Sequence, residues 1–350
     1  MIMKLAIITD THYCFKKSNK NYHDYFERFY NDIFFPTLEE RQIDVVVHMG
    51  DAFDNRKGVD YWGLEWAQRV FYDRLRDNKI NLFQLCGNHD VEKKTTNKYN
   101  AIDTLLREYS NIECITEPTE YTISGKKHLF IPWICKDNEQ KTFELVNSSQ
   151  AKVVFGHLEF TGFTLFPGQP QMSGMSTEKF KKFDRVFSGH YHTKSNDGKI
   201  FYLGNPYQMY WSDVDDERGF HIFDTDSYEL EYIKNPYEIY KRIYYSDLDY
   251  KDFDFSEVEN KNIKVVVSKK TNQSQYDRFI SEIMKNNILD LKIVESVDVN
   301  DDLVNISDLD CEDTLTTLNK YIEQTDFRLN KKVIRKILYD TYQEALELEV

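Results

Sequence analysis

Five short polar clusters carry residues that can bind metal ions, and each cluster follows an apolar run that reads as a strand. The clusters are Asp10-Thr11-His12, Gly50-Asp51, Gly87-Asn88-His89-Asp90, Gly156-His157 and Gly189-His190-Tyr191-His192. In layered α/β folds, the loops at the carboxyl ends of strands converge on one crevice, so residues far apart in sequence meet there. Glycine beside a ligand lets the main chain turn sharply and approach closely. We therefore expect the five clusters to form one site.

The residue types in these clusters predict the chemistry of the site. They form a mixed nitrogen and oxygen donor set of four histidines, two aspartates and one asparagine: His12, His157, His190, His192, Asp10, Asp51 and Asn88. Such a set suits Mn, Fe or Zn rather than Ca²⁺, and it is large enough for two metals if one aspartate bridges them. Two adjacent metals can clamp a phosphate and activate a water for in-line attack. The sequence therefore predicts phosphoester hydrolysis.

Turn formation is the alternative explanation for any single cluster. Gly, Asn and Asp end strands because they tolerate left-handed main-chain angles, so Gly87-Asn88-His89-Asp90 alone needs no chemistry. Five clusters in order, each at a strand end, are hard to obtain from turn preference. By contrast, His48 lies inside an apolar run, and we expect it to be a core residue.

Eight apolar, β-branched runs predict the strands that position the clusters. They are residues 4–9, 43–49, 80–86, 127–133, 151–155, 184–188, 199–203 and 219–223. Apolar residues at helical spacing occupy 22–42 and 61–78, between the first three runs. The pattern predicts a layered α/β fold in which mixed β sheets are flanked by helices.

The pattern changes after about residue 232, which indicates a second, small α/β unit. Residues 262–268, 274–287 and 290–297 read as strand, helix and strand. Residues 298–313 then hold seven acids and no Lys or Arg, the composition of a linker. Two amphipathic helical stripes close the chain. We therefore predict a main domain, a small α/β domain, a linker and a helical segment at 1–232, 233–297, 298–313 and 314–350.

Composition limits the classes of function. The 350-residue chain has a net charge of −14, which argues against coating nucleic acid by bulk electrostatics but allows a nuclease whose metals supply local positive charge. Its five cysteines are scattered without a Cys-x-x-Cys pair, so neither a disulfide framework nor a zinc finger is indicated. The sequence shows no signal peptide and no membrane span, and we expect a cytoplasmic protein, in the host cytoplasm if the chain is phage-encoded.

The order of the motifs, D-x-H, GD, GNHD, GH and GH-x-H, resembles the calcineurin-like metallophosphoesterase superfamily over roughly residues 1–224. The opening KLAIITDTH, the GNHD form, the GH-x-H and the following YLGNPYQMYWSDVDDERGFHIFD are similar to the SbcD-type DNA repair nucleases, especially their phage recombination version. That version works with an SMC-like ATPase. The resemblance implies a layered metallophosphoesterase fold with two divalent metal ions, expected to be Mn²⁺.

The resemblance also implies a role for each site residue. It makes Asp10, His12, Asp51 and His192 ligands of one metal, and it makes Asp51, Asn88, His157 and His190 ligands of the other, with Asp51 as the bridge. His89 is implied to face the scissile phosphate, where it steadies charge or protonates the leaving oxygen. Asp90 is expected to orient His89 through its ring nitrogen, or else to cap the turn.

One position departs from the resemblance. Many cellular members carry a His three residues after the GD aspartate, whereas GDAFDNR places Asp54 there and Arg56 after it. The same GDxxDxR shape is similar to the protein serine/threonine phosphatases, which share the metal site. A phosphatase or another phosphomonoesterase therefore remains an alternative, as does a weakly active adaptor that holds an ATPase on DNA.

The leading hypothesis is a Mn-dependent DNA exonuclease and endonuclease that processes double-strand breaks in recombination and repair. The resemblance implies that the small α/β domain caps the nuclease domain and guides DNA. It also implies that the terminal helices bind the SMC-like ATPase, and their apolar stripes need either a partner or the parent domain because short helices are marginal alone. Members of the resembled family usually pair through helices of the nuclease domain. Aromatic residues in 23–40 and 60–77 exceed what one helix face needs, so we expect a homodimer through these helices; the alternative is that the aromatics cover the sheet.

Overall fold

The structure is a computed structural model that describes residues 4–166, 169–171, 174–246 and 252–295, with residues 322, 331, 333–335, 337 and 338. It divides the chain into two compact units, Met1–Ile239 and Tyr240–Val350. The boundary predicted after residue 232 falls inside a strand of the first unit, Leu230–Lys234. The predicted linker, 298–313, and most of the predicted ATPase-binding segment, 314–350, lie outside the described residues.

The described part of the first unit contains both strands and helices. In chain order, its strands are β1 (Lys4–Ile8), β2 (Val45–His48), β3 (Asn81–Leu85), β4 (Val91–Lys93), β5 (Thr96–Asn100), β6 (Ile112–Ile115), β7 (Thr119–Ile123), β8 (Lys126–Ile131), β9 (Val153–Gly156), β10 (Thr164–Phe166), β11 (Gln169–Pro170), β12 (Arg185–Ser188), β13 (Ser195–Asn196), β14 (Ile200–Tyr202), β15 (Gly219–Asp224) and β16 (Leu230–Lys234). Its α-helices of five or more residues are α1 (Lys20–Phe29), α2 (Phe35–Glu40), α3 (Tyr61–Ala67), α4 (Asp73–Asp77), α5 (Ala101–Leu106) and α6 (Glu139–Ser148). Within the described ranges, no helix is both long enough and apolar enough to span a bilayer.

Two six-stranded mixed sheets form the centre of this unit. The first has the order β16-β15-β1-β2-β3-β6, and the second has the order β13-β14-β12-β9-β8-β7. In the first sheet β1, β2, β3 and β6 run parallel, while β15 pairs antiparallel with β1 and β16 pairs antiparallel with β15. In the second sheet β8, β9, β12 and β14 run parallel. The predicted fold class, mixed sheets flanked by helices, is confirmed.

The inner faces of the two sheets share one hydrophobic core. Leu5 and Val47 from the first sheet lie in the same buried cluster as Phe130, Phe155 and Phe187 from the second. Alternate residues of β1 and β2 point away from this core, and they too are buried, so these strands read as continuous apolar runs. This double burial explains why the strands were visible in the sequence.

The parallel strands bring the five polar clusters to two neighbouring sheet edges. β1, β2 and β3 are each followed, after one intervening residue, by one of the first three clusters. β9 and β12 carry the other two, and their register pairs Ser188 with Gly156, so the two clusters begin within one residue of each other. The strands of each sheet therefore end together where the clusters begin.

The two long helical segments differ from the prediction in one respect. A π-helical turn, Tyr30–Phe34, joins α1 to α2, and a second, Gln68–Tyr72, joins α3 to α4. A π turn accommodates an extra residue inside a helix. Here it keeps aromatic side chains facing inward, and the hydroxyl of Tyr30 lies 2.9 Å from that of Tyr13 behind the first polar cluster.

The second unit contains a three-stranded parallel sheet among its described residues. Its elements are β17 (Tyr240–Ser246), β18 (Asn262–Lys269), α7 (Gln273–Lys285) and β19 (Asp290–Glu295), with the strand order β17-β18-β19. Phe279 and Ile283 of α7 pack on Ile243, Val265 and Val267 of the sheet. The strand, helix and strand predicted between 262 and 297 are present, and β17 adds a strand that the sequence pattern did not indicate.

His221 on β15 is buried without a proton at neutral pH. Its ring lies 5.1 Å from that of Tyr232, and burial together with the charge of Lys194 lowers the pKa of His221 to about 3. The unfolded chain binds this proton near the ordinary pKa of 6.5, so the free energy of unfolding falls as the pH drops from 6.5 towards 3.

Replacing His221 by Phe should make the free energy of unfolding depend less on pH below neutrality. Between pH 7 and pH 4, His221→Phe should lose roughly 1–3 kcal/mol less stability than the parent chain, as measured by urea unfolding at both pH values. Ile222→Val on the same strand is the control, because it changes packing without removing a titrating group. Identical pH dependence in His221→Phe and the parent would contradict the buried neutral imidazole.

Candidate dimetal centre

The loops that carry the first two clusters are hydrogen-bonded to each other beyond the ends of their strands. The amide of Asp10 donates to the carbonyl of Gly50 at 3.0 Å, and that of His12 donates to the carbonyl of Asp51 at 3.1 Å. The amide of Gly189 donates to the carbonyl of Gly156 at 3.0 Å in the same way. Each sheet thus extends its ladder by a few residues and places the predicted ligands side by side.

Four of the predicted ligands have left-handed main-chain angles that side-chain-bearing residues rarely adopt. The φ angles are 52° at Asp10, 45° at His12, 51° at Asp51 and 84° at His190. Such a conformation costs on the order of 1 kcal/mol per residue and persists only where the surroundings impose it. The hydrogen bonds between the loops supply that constraint, and the strain marks this region as a functional site.

Asp10, His12 and His192 form the first donor group. One ligand atom from each lies within 4.8 Å of the other two. The Nε2 atoms of His12 and His192 are 3.1 Å apart, and Nε2 of His192 is 3.9 Å from Oδ1 of Asp10. The side chains of Asp10 and His12 are almost fully buried.

Asp51, His157 and His190 form the second donor group, again with ligand atoms within 4.8 Å. Nε2 of His157 lies 3.3 Å from Oδ2 of Asp51 and 3.0 Å from Oδ1 of Asn88. Nδ1 of His157 donates to the carbonyl of Met49 at 2.9 Å, so Nε2 is the ring nitrogen that a metal would bind after displacing its proton.

The two donor groups meet at one carboxylate oxygen. Oδ2 of Asp51 lies 3.3 Å from Nε2 of His157 and 3.9 Å from Nε2 of His12. The other oxygen, Oδ1, accepts from the amide of His89 at 2.7 Å. Asp51 is therefore placed between the groups, as the predicted bridge requires.

The donor atoms fit divalent cations. Two imidazole Nε2 atoms facing each other at 3.1 Å, in His12 and His192, can share at most one proton, and a cation satisfies both lone pairs. The set combines imidazole nitrogen with carboxylate and amide oxygen, which suits Mn, Fe or Zn. Two donor groups joined by one carboxylate can hold two such cations side by side.

Protons balance the charge of the site in the chain without metals. Burial raises the pKa of Asp10 to about 6. Burial would lower the pKa of His12 and His157, but hydrogen bonds and charges of the surrounding carboxylates, Asp54 and Asp51 foremost, raise both to about 9. The charge of His157 holds the pKa of Asp51 well below its usual range despite burial. A bound cation would therefore displace protons from these histidines.

His89 lies beside the donor groups, and its ring is fixed by the main chain of Asp54. Nδ1 of His89 donates to the carbonyl of Asp54 at 2.8 Å, and the His89 ring lies 4.9 Å from that of His12. The orienting role predicted for Asp90 is thus taken by Asp54. Asp90 instead accepts from the amides of Gly87 and Phe53, at 2.8 and 3.0 Å, as in the turn-capping alternative.

Asp54 also contacts a predicted ligand. Its Oδ1 lies 3.3 Å from Nδ1 of His12, so its carboxylate touches one histidine and its carbonyl binds another. The sequence flagged Asp54 only as a departure from the family pattern and assigned it no role. Arg56, flagged with it, donates from Nε to the carbonyl of Asn88 at 2.9 Å and braces the GNHD turn.

Trp133 forms a wall of the site that sequence reasoning missed. Its ring lies 5.3 Å from that of His190 and 6.3 Å from that of His157, and its indole N–H donates to the carbonyl of Lys94 at 3.1 Å. The only signal was an aromatic residue at the end of the predicted strand 127–133. His48, in contrast, is fully buried and hydrogen-bonded to Thr11, as expected of a core residue.

Comparisons with known proteins match the part of the chain that carries this site. The family model described as calcineurin-like phosphoesterase matches residues 3–194. The chain is 30% identical over 279 residues to exonuclease subunit 1 of Enterobacteria phage T4, covering 79% of each protein. It is 22% identical over 223 residues to a subunit of nuclease SbcCD from Staphylococcus epidermidis, covering 55% of this chain and 58% of that protein. A solved archaeal phosphodiesterase, 15% identical, overlaps 67% of this chain and 100% of its own at a TM-score of 0.34.

Gly87 allows the third cluster to approach Asp51. A Cβ at Gly87 would lie 2.2 Å from Oδ1 and 2.3 Å from the amide nitrogen of Asp51. Gly87→Ala should therefore displace Asp51 and weaken Mn²⁺ binding by about 10-fold or more, the usual scale for disturbing a ligand's support. Calorimetric titration measures the change. Gly58→Ala is the matched control, because a Cβ there meets nothing within 4 Å. Undisturbed Mn²⁺ binding in Gly87→Ala would contradict the close approach.

Proposed function

The chain belongs to the calcineurin-like phosphoesterase family, and from this membership and the geometry of the site we propose that it is a Mn-dependent DNA nuclease with exonuclease and endonuclease action. The observation that carries the proposal is the pair of donor groups joined at Oδ2 of Asp51, with His89 beside them. Both curated relatives are nucleases by name, which favours a phosphodiester over a phosphomonoester.

The proposed ligand sets follow the two donor groups. Asp10, His12, Asp51 and His192 would hold one cation, and Asp51, Asn88, His157 and His190 would hold the other. When bound, the cations would supply positive charge for the phosphate and lower the pKa of water. Asp10, Asp51 and His157 are deeply buried, so bulk water would not compete with the cations for their ligand atoms.

His89 is proposed to act on the phosphate itself. Because its Nδ1–H is held by the carbonyl of Asp54, its other ring nitrogen, Nε2, is left to face the substrate. Protonated there, Nε2 donates to a phosphoryl oxygen or gives its proton to the leaving oxygen. Asp54 thereby sets which ring nitrogen is available.

We further propose that the chain works as a subunit in recombination and repair of double-strand breaks. Both relatives are named as subunits, and one is a phage protein, which supports action in a host cytoplasm with an SMC-like ATPase as partner. The second unit, predicted as a DNA-guiding cap, contains the small sheet β17-β18-β19. Segment 314–350 is the proposed ATPase contact.

Of the aromatic residues in the two helical segments, only some are exposed and could take part in the proposed homodimer. Phe26, Phe29 and Trp66 are buried within their own unit. Tyr61 at the start of α3 is 93% exposed and Trp62 is 43% exposed. These two side chains are the large exposed apolar surface on the two helical segments, and they support pairing with a second copy.

Cleavage of labelled duplex and single-stranded oligonucleotides with Mn²⁺, beside a phosphopeptide, tests the proposed activity. We expect turnover of DNA, and turnover of the phosphopeptide alone would favour the phosphatase alternative. DNA cleavage that occurs only when the ATPase is added would assign the chemistry to the complex. Absence of cleavage both with and without the ATPase would favour the adaptor.

His89→Ala should keep both metals and lower DNA cleavage by about 10²-fold or more, the usual cost of losing a proton donor or a charge-stabilising group. Calorimetry with Mn²⁺ reports the metals and single-turnover kinetics reports the cleavage. His128→Gln, at a buried histidine on β8, is the control for a lost imidazole elsewhere. Loss of one metal in His89→Ala would show that His89 is a ligand.

Deleting residues 310–350 should abolish pull-down of the ATPase and spare Mn²⁺ binding, because every proposed ligand lies between Asp10 and His192. Thermal melting of the truncated chain is measured alongside. Retained pull-down, or a collapse of the melting temperature, would defeat the view that this segment serves the partner.

A further inference from the structure

A buried arginine lies behind one of the proposed ligands. The segment after β14 contains the sequence LGNPYQMYWSDVDDERGF, which carried part of the family resemblance but has no role in the chemistry described so far. Arg218, near its end, is 3% exposed. Burial of a guanidinium is costly unless it is paired and hydrogen-bonded. The partners of Arg218 therefore indicate the role of this segment.

The guanidinium of Arg218 grips the main chain of His192. Its Nη1 donates to the carbonyl of His192 and to Oδ1 of Asn205. The amide of Asn205 donates to the same His192 carbonyl at 3.3 Å. The carbonyl of His192 is therefore held by two donors that are themselves tied to each other.

Two aspartates hold the guanidinium in place. Nη2 of Arg218 donates to Oδ1 of Asp213 at 2.9 Å and lies 3.0 Å from Oδ2 of Asp216. The other oxygen of Asp213 accepts from the amide of Tyr210 at 3.0 Å. The Tyr210 ring lies nearly parallel to the His192 ring, at 15° and 6.3 Å. The same ion cluster thus holds both the main chain of His192 and the main chain of Tyr210, whose ring lies beside the His192 imidazole.

His192 needs such support more than the other residues of the first donor group. Its side chain is 23% exposed, whereas those of Asp10 and His12 are 0% and 2% exposed. Within this group, packing alone therefore constrains His192 least, and its main chain lies in the loop after β12.

We propose that Arg218 is a positioning residue for His192, holding its carbonyl so that the imidazole completes the first donor group. The proposal rests on the proposed function, in which His192 is a metal ligand. A planar fork is required because Arg218 must donate to His192 and Asn205 on one side and to Asp213 on the other. A lysine ammonium keeps the charge and cannot span these acceptors.

Calorimetric Mn²⁺ titration of the full chain tests the proposal without measuring activity. The parent chain should bind two ions, and Arg218→Lys should weaken one of them by about 10-fold while sparing the other, the scale expected when a residue behind a ligand is lost. A parent chain that binds fewer than two ions would overturn the proposed function and this inference with it. If Arg218→Lys binds two Mn²⁺ ions with the affinities of the parent chain, this inference is overturned and the proposed function is not.

A double-mutant cycle separates positioning from general stabilisation. If Arg218 acts through His192, then Arg218→Lys should cause no further loss of Mn²⁺ affinity in a His192→Ala background. Additive losses would show a merely structural role. Asp216→Asn is the matched control: it weakens the same ion cluster and should lower the melting temperature of the metal-free chain, yet keep Mn²⁺ affinity, because Asp213 still holds the guanidinium.

Gly204→Ala would disturb the same carbonyl of His192 from another side. It is the second test variant if Arg218→Lys does not fold. A Cβ at Gly204 would lie 2.8 Å from the carbonyl oxygen of His192, and the φ angle of 72° adds strain. We expect Gly204→Ala to weaken the same Mn²⁺ site by about 10-fold. Gly58→Ala again provides the unobstructed comparison. Parent-like Mn²⁺ binding in Gly204→Ala would count against the proposal.

Discussion

The buried carboxylate of Asp51 is the interaction on which the rest of the site depends. Both of its oxygens are engaged, Oδ1 with the amide of His89 and Oδ2 with the imidazoles of both donor groups. A buried anion is tolerated only when opposite charge surrounds it, and here histidines or cations provide that charge. The arrangement of the two sheets therefore serves to deliver positive groups to one carboxylate from loops that are distant in sequence.

Support for the site comes largely from main-chain groups and from residues one layer behind the ligands. Asp90 ties Gly87 to Phe53, Asp54 ties His12 to His89, and Arg218 ties His192 to a buried ion cluster. Each of these contacts joins two different loops. Metal sites depend on such supporting contacts because ligands must be held in geometry before the metal arrives.

The sequence predicted the parts of the site that repeat a simple rule and missed those that depend on tertiary contact. Polar clusters after apolar runs predicted side chains that the structure brings together, and the burial of both faces of β1 and β2 produced the continuous apolar runs from which these strands were predicted. The π turns at Tyr30–Phe34 and Gln68–Tyr72 were not predictable, because helical spacing does not reveal one extra residue. The role of Asp54 was not predictable for another reason. One of its two contacts with the site, the hydrogen bond to His89, is made by its main-chain carbonyl, which any residue would supply.

Asp10, His12, Asp51 and His190 have left-handed main-chain angles. At these positions the residue that would give the least strained fold differs from the residue that the chemistry requires. Glycine adopts these angles without a Cβ penalty, so exchange to glycine relieves local strain while it removes a donor atom. Main-chain strain therefore does not oppose mutational drift away from activity at these positions. Only selection on the reaction can maintain aspartate and histidine there, and a descendant freed from that selection would keep its two sheets and lose its donors first.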